Sequence, residues 1–193
     1  GFDPARFRKV PQTGLEVRRQ LGISATASVI GHVARLDPQK DQETLLDAIQ
    51  HFYRSSNNAV FLLIGKGLEK TNSILNEWLD ARGLSTTVSR IDKEICTGVL
   101  PLGPRMDVPD LLQAMDVMTL SSIGEAFPNV LGEAMLAGVP CVATDVGDVV
   151  RLVGETGVVT KVRDPLAIAE GWRLLLSESK TQKEMRSNNC RQR

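Results

Sequence analysis

Apolar runs of strand length alternate with segments of helical spacing along the whole chain. Ser28–Val33 reads as a first strand, and residues 42–52 carry Leu45, Leu46, Ile49 and Phe52 at helical spacing. The run 59–65 is apolar throughout, as expected of a strand covered on both faces. Ile74, Leu75, Trp78 and Leu79 then mark a helix that ends near Gly83. Further strands are expected over 99–103, Val117–Leu120, 139–144 and 157–160, with helices over 109–115, 128–137, Val149–Val153 and 166–176 between and after them. Residues 85–98 are polar and irregular, and are expected to form a long exposed loop.

Strand–helix–strand alternation of this kind predicts an α/β fold with a Rossmann-like, doubly wound parallel sheet. Such sheets bind ligands at the carboxyl ends of their strands, so the loops that follow the strands are the ones to read for chemistry. One domain is expected over 1–180, with 1–14 as a junction and 181–193 as a polar tail or truncated helix. The chain starts at Gly1 rather than Met, which suggests a piece of a longer protein.

Composition narrows the function by exclusion. The 193 residues are long enough for one hydrophobic core, and 23 basic residues balance 23 acidic ones. A nucleic-acid binder would show a basic excess, so no nucleic-acid partner is expected. Cys96, Cys141 and Cys190 are odd in number and far apart, and there are two histidines, His32 and His51. Neither a disulfide framework nor a metal site is expected from that set. Cys141 sits in an apolar run and reads as a small packing residue. No apolar stretch approaches a membrane span and no signal peptide is visible, so a cytoplasmic, reduced protein is the default.

Two post-strand loops hold the candidate chemistry. Arg35 and Lys40 follow the first strand, in a loop restricted by Pro38. Together they suit a diphosphate, Arg as a two-pronged fork and Lys as a point charge; alone, both could be ordinary surface cations. After the strand Val117–Leu120 comes Ser121-Ser122-Ile123-Gly124-Glu125-Ala126-Phe127-Pro128-Asn129-Val130-Leu131-Gly132-Glu133. Pro128 fits the first position of a helix, which would leave the N–H groups of Asn129, Val130 and Leu131 open to phosphate or sugar oxygens. Glu125 and Glu133 could both accept hydroxyl hydrogen bonds in the same crevice. The plain alternatives are a capping carboxylate for Glu125 and a solvated helix-face charge for Glu133. Gly65-Lys66-Gly67 reads as a turn, and 144–148 as either a pocket edge or a plain connection. Trp78 and Trp172 read as core, and neither histidine has a partner the sequence can identify.

Taken together these loops resemble the C-terminal domain of retaining family 4 (group 1) glycosyltransferases of the GT-B architecture. The resemblance runs from Gly1-Phe2-Asp3-Pro4-Ala5-Arg6-Phe7, similar to the family's interdomain junction, to about Leu176. It takes in Gly31 through Lys40, Leu62 through Gly67, Leu102 through Pro109, the Glu-x7-Glu segment from Glu125 to Glu133, and Pro140 through Gly147. The chain departs from the family pattern at Lys66, Ala126, Asp148 and Arg151.

The resemblance implies hexose transfer from a nucleoside diphosphate sugar to a saccharide or lipid-linked acceptor, with retention and without a metal or other cofactor. Arg35 and Lys40 would neutralise the diphosphate, and Glu125 would position the donor sugar. Glu133 would hold the ribose. Gly31 and the amides from Phe127 through Pro128, Asn129, Val130 and Leu131 would line the donor, and Arg105 would approach the base. The acceptor would lie on an N-terminal domain outside this chain, in a parent at the membrane surface. The chain alone is then expected to bind nucleotide without transferring sugar. Two other readings stand beside it: a non-catalytic nucleotide-binding or interaction module, and a GT-B sugar-nucleotide epimerase, against which the Glu-x7-Glu context weighs.

Overall fold

The computed structural model describes residues 7, 11–55, 58–84, 89–91 and 93–192, with the backbone alone for 11 and 89–91. Seven strands form one sheet: β1 (Ser28–Val33), β2 (Ala59–Ile64), β3 (Ser89–Ile91), β4 (Glu94–Gly103), β5 (Val117–Leu120), β6 (Cys141–Thr144) and β7 (Val158–Thr160). Their order is β3-β4-β2-β1-β5-β6-β7. Six strands run parallel, and β3 alone is antiparallel, paired to β4. The helices are α1 (Pro11–Gln20), α2 (Gln42–Tyr53), α3 (Ser73–Ala81), α4 (Val108–Gln113), α5 (Asn129–Leu136), α6 (Val149–Val153), α7 (Pro165–Ser177) and α8 (Lys180–Gln192). Among the described residues, no helix is long and apolar enough to cross a membrane.

The unbroken apolar run of β2 follows from burial on both faces. Ala59, Phe61 and Leu63 join a core with α2, α3 and α7, while Val60, Leu62 and Ile64 join a second core with α4, α5, α6 and α8. Alternation of side chains across the pleat sends successive residues to opposite cores. Phe52, Phe61 and Trp172 meet edge-on or tilted at centroid distances of 5.0–5.9 Å in the first core. This doubly wound α/β arrangement is the one the residue pattern implies.

The strand order fixes where the site can be. From β1 the chain winds outward through β2 to β4, then crosses back to β5 and winds the other way through β6 to β7. The direction reverses between β1 and β5, which pair directly. A crevice opens at such a reversal because the helices after the two strands lie on opposite faces of the sheet.

One expectation needs correction. Residues 85–98 are not wholly a loop: β3 and the start of β4 form an edge hairpin, with Lys93 at φ 73° in the turn, while 85–88 and 92 lie outside the described residues. Its polar composition suits an edge, where one side faces water. Ile95 is its buried anchor and bonds the chain at Gly22 and Ser24. Of the two forms expected for 181–193, a polar tail or a helix, the residues through 192 take the second: α8 (Lys180–Gln192) is a regular helix whose Cys190 is buried in the second core. Of the junction over 1–14, residues 1–6 and 8–10 lie outside the described residues, Phe7 is buried, and Pro11 already opens α1. That helix is docked by Arg18, which donates to Ala114 O, Ala27 O and Asp116 Oδ2 at 2.9–3.0 Å.

Candidate functional site

The β1–α2 and β5–α5 loops meet at the reversal point and are knitted together by backbone. Ile123 N–H donates to Gln39 O at 2.8 Å, and Ser121 Oγ donates to Lys40 O at 2.7 Å. Lys40 itself closes a 3-10 turn (Pro38–Lys40) whose N-terminus is capped by Asp37, accepting from Gln39 N–H at 2.9 Å. Asp41 then takes a left-handed conformation (φ 48°) and caps α2, so the first turn of α2 starts directly behind the lysine.

These constraints bring Lys40 Nζ to 2.5 Å from Glu125 Oε1. Ser122 Oγ donates to the same oxygen at 2.6 Å. The side chains are 22% and 11% exposed, so the pair is screened from water on most sides. Glu125 is therefore not a cap of α5. Its carboxylate belongs to the loop cluster, and the N-cap position of α5, Pro128, makes no side-chain cap bond. Ser122, which sequence reasoning passed over, is held in turn by Thr144 Oγ1 donating to its carbonyl at 2.5 Å. Gly147 supports the acidic loop from β6: at φ 52°, a Cβ there would stand 2.4 Å from Glu125 O and 3.1 Å from Ala126 O.

Arg35 sits in the same loop as Lys40, 65% exposed at its side chain, with Nε 2.9 Å from Asp37 Oδ2. Asp37 is held below the usual carboxylate range first by the Gln39 N–H and then by Arg35. The exposed guanidinium and the more sheltered ammonium thus flank one loop end.

Pro128 does not occupy the first helical position but the one before it, at φ −81°, ψ 81°. That is inverse γ-turn geometry, and it turns Asn129 N–H back onto Phe127 O at 3.0 Å. Leu131 N–H likewise bonds Pro128 O at 3.0 Å. Of the three amides expected to be open, two are consumed by the turn; Val130 N–H makes no hydrogen bond among the described residues. Glu133, in the second turn of α5, carries a carboxylate with no hydrogen bond or ion pair among the described residues, and its partial burial raises its pKa.

Other expected residues lie further out. Gly31 is inside β1, where the Met115 side chain fills the space a Cβ would take, with Sδ 2.1 Å from that position. Arg105 is in the β4–α4 connection, two strands from β1, forked onto Asp107 at 2.5 and 2.7 Å. Phe127 is half exposed and borders an open groove of about 650 Å³ between α5, α6 and α8. Gly65 and Gly67 belong to a turn packed on the cation loop: Leu36 N–H donates to Lys66 O at 2.7 Å, and a Cβ at Gly65 would stand 2.0 Å from Ala34 O. Among the described residues no cluster of three His, Cys, Asp or Glu could hold a metal ion.

Beneath the loop, His32 is buried. Its Nδ1 lies 3.2 Å from Thr119 O and its Nε2 3.4 Å from Gln42 Nε2. Burial pushes its pKa down to about 4, with the nearby Lys40 charge adding to the shift against the Thr119 bond. A neutral ring must then donate from Nδ1, since a carbonyl only accepts, and receive Gln42 at Nε2.

What this arrangement can do is bind a polyanion next to a hydroxyl-bearing group. Two cations and one carboxylate converge at the reversal point, and a second carboxylate stands a helical turn inside α5.

The family model for glycosyl transferases group 1 matches residues 27–178. The D-inositol 3-phosphate glycosyltransferase of Corynebacterium urealyticum is 32% identical over 187 residues, covering 92% of this chain and 42% of that protein. The UDP-Gal:alpha-D-GlcNAc-diphosphoundecaprenol alpha-1,3-galactosyltransferase of Escherichia coli is 27% identical over 148 residues, covering 76% of this chain and 35% of that one. Among solved structures, Anabaena HepE in complex with UDP and glucose superposes with a TM-score of 0.80 at 28% identity, over 99% of this chain and 49% of its own. The chain spans less than half the length of these relatives. With the family model covering most of its length and a relative above 30% identity, this chain belongs to the group 1 glycosyltransferases and has the Rossmann-like fold of their GT-B structures.

Proposed function

We propose that this chain is the donor-binding half of a retaining glycosyltransferase that moves a hexose from a nucleoside diphosphate sugar to a saccharide or lipid-linked acceptor. The observation that carries the reading is the convergence of Lys40 and Glu125 at the sheet's reversal point, with Arg35 in the same loop. When the bond from the anomeric carbon to the β-phosphate oxygen breaks, the electron pair leaves with the diphosphate. Arg35 and Lys40 stand where they can take up that charge, which is the role a metal ion plays in other transferases. Glu125, already fixed by Lys40 and Ser122, offers its second oxygen to a sugar hydroxyl. Glu133 offers an unpartnered carboxylate to the ribose hydroxyls, and the Val130 N–H one donor to the phosphate or sugar. The acceptor side of the reaction is supplied by the rest of the parent, on the cytoplasmic face of a membrane.

Calorimetric titration of the chain with UDP, GDP and ADP tests this, with UDP first because HepE was solved with it. Binding of one of the three, weakened by Arg35→Ala, is expected, with no sugar transfer by the chain alone. Binding to none would favour a non-catalytic module, and binding indifferent to Arg35 would remove the clamp from the account.

A further inference from the structure

Gln42 is 2% exposed at the first position of α2, directly behind the cation loop, and every polar valence of its amide that faces the protein is used. Its Nε2 donates to Arg35 O at 2.9 Å and faces His32 Nε2 at 3.4 Å, while its Oε1 accepts from Asp37 N–H at 3.4 Å. The amide orientation is fixed by these partners, since Arg35 O can only accept and Asp37 N–H can only donate. His32 is pinned from below by Thr119 O, and the Thr119 hydroxyl accepts from Trp172 Nε1 at 2.8 Å. A buried chain of hydrogen bonds therefore runs from α7 across β5 and β1 and ends on the backbone of Arg35 and Asp37. Asp37 is the carboxylate that grips the Arg35 guanidinium. The Lys40 backbone shares Asp37, donating its N–H to Asp37 O at 2.9 Å, but its side chain is held by Glu125 and its carbonyl by Ser121 Oγ.

We infer that Gln42 is a positioning residue for Arg35: it touches neither nucleotide nor sugar, and sets the geometry with which the guanidinium meets the diphosphate. The inference rests on the donor-binding reading and adds to it that the two charged groups have different partners, the Arg35 guanidinium on Asp37 and the Lys40 ammonium on Glu125. A side chain that only filled the core would not discriminate between the cations. Coupling between Gln42 and Arg35 without coupling between Gln42 and Lys40 is the signature of positioning.

The test is a double-mutant cycle read as UDP affinity of this chain by calorimetry, with thermal melts to verify folding. Arg35→Ala is expected to weaken binding roughly tenfold, the loss of a charge-assisted fork. Gln42→Met, close in shape and without hydrogen-bonding groups, is expected to weaken it severalfold. The double variant with Arg35→Ala is expected to bind as Arg35→Ala alone does, whereas the double variant with Lys40→Ala shows the two losses in full. If Gln42→Met does not melt cooperatively, Gln42→Glu takes its place in the cycle, because it keeps the acceptor for Asp37 N–H and removes the donor to Arg35 O. Equal coupling to both cations, or full additivity with Arg35→Ala, overturns the inference while leaving the donor site standing. An Arg35→Ala variant that binds as wild type overturns the clamp and the inference together.

Discussion

Lys40 Nζ and Glu125 Oε1 lie 2.5 Å apart, although 85 positions separate the two residues in the chain. The contact exists because β1 and β5 are neighbours in the sheet, and under the function proposed above it makes the acid part of the charge balance at the phosphate as well as a contact for the sugar. An anion that approaches Lys40 meets a cation already half neutralised.

Glu125→Gln in this chain is therefore expected to raise UDP affinity, by roughly threefold to tenfold on the scale of one like-charge contact at a partly exposed site. The same substitution in a full-length parent should abolish most of the transfer, because the sugar loses its charged acceptor. Calorimetry on the chain and turnover on the parent measure the two halves. UDP binding weakened by Glu125→Gln would contradict the charge balance proposed here.

Lys40→Ala removes the partner of a carboxylate that is 11% exposed. The expectation is a lower melting temperature, from leaving about 1–3 kcal/mol of charge unpaired, together with weaker UDP binding. The paired variant Lys40→Ala with Glu125→Ala should recover most of the stability and the part of the affinity lost to the unpaired carboxylate, but not the part supplied by the ammonium itself.

Glu133 has no protein partner for its carboxylate among the described residues, and its pKa is raised by burial. If the ribose is its ligand, Glu133→Gln should weaken UDP about tenfold while leaving inorganic pyrophosphate binding unchanged, and 2′-deoxy-UDP should lose less than UDP does. Because burial raises its pKa, the preference for UDP over 2′-deoxy-UDP is expected to fade as pH drops toward the carboxyl range. A pH-independent preference would assign the ribose to another group.

His32 titrates at about 4 in the folded chain, below the 6.5 of an ordinary imidazole. The unfolded chain therefore binds more protons between those values, so stability falls as pH falls from about 6.5 to 4, by on the order of 3 kcal/mol in total. Above pH 7 this contribution is flat. Thermal melts at pH 7 and 5 should differ, and the slope should shrink in His32→Gln.

Gly31→Ala places a methyl on Met115 and should cost about 1–3 kcal/mol. Met115 is a flexible side chain, so Gly31→Ala with Met115→Ala is expected to restore part of the loss. A neutral Gly31→Ala in a urea melt would show that the second core yields easily at this point.

The central strands were legible because burial on both faces leaves an apolar run that polar interruptions bound, as in Ala59–Ile64. The edge hairpin was not, since an edge strand is under no such constraint and Ile95 is a single apolar mark in a polar stretch. Arg35, Lys40, Glu125 and Glu133 could be nominated from residue type and from their place after strands. The pairing of Lys40 with Glu125 could not, because strand order is a tertiary property: nothing local says that β5 returns to β1. The same holds for His32, whose partners come from β5 and from a helix residue ten positions away. Pro128 shows the reverse limit. Its fixed φ suits both the first helical position and the centre of a γ-turn, and ψ, which the ring does not set, decides between them.

Gly147, at φ 52° under the Glu125 and Ala126 carbonyls, has a consequence for how this domain can diversify. The floor of the acidic loop is a hydrogen atom in the turn between β6 and α6, a segment that carries none of the partners of the Glu125 carboxylate. Any larger residue there lifts the loop as a unit, moving Glu125 relative to Lys40 while leaving both residues in the sequence. A lineage or an engineer could therefore retune the distance between Lys40 and Glu125 from position 147, without altering any of the residues proposed to meet the donor.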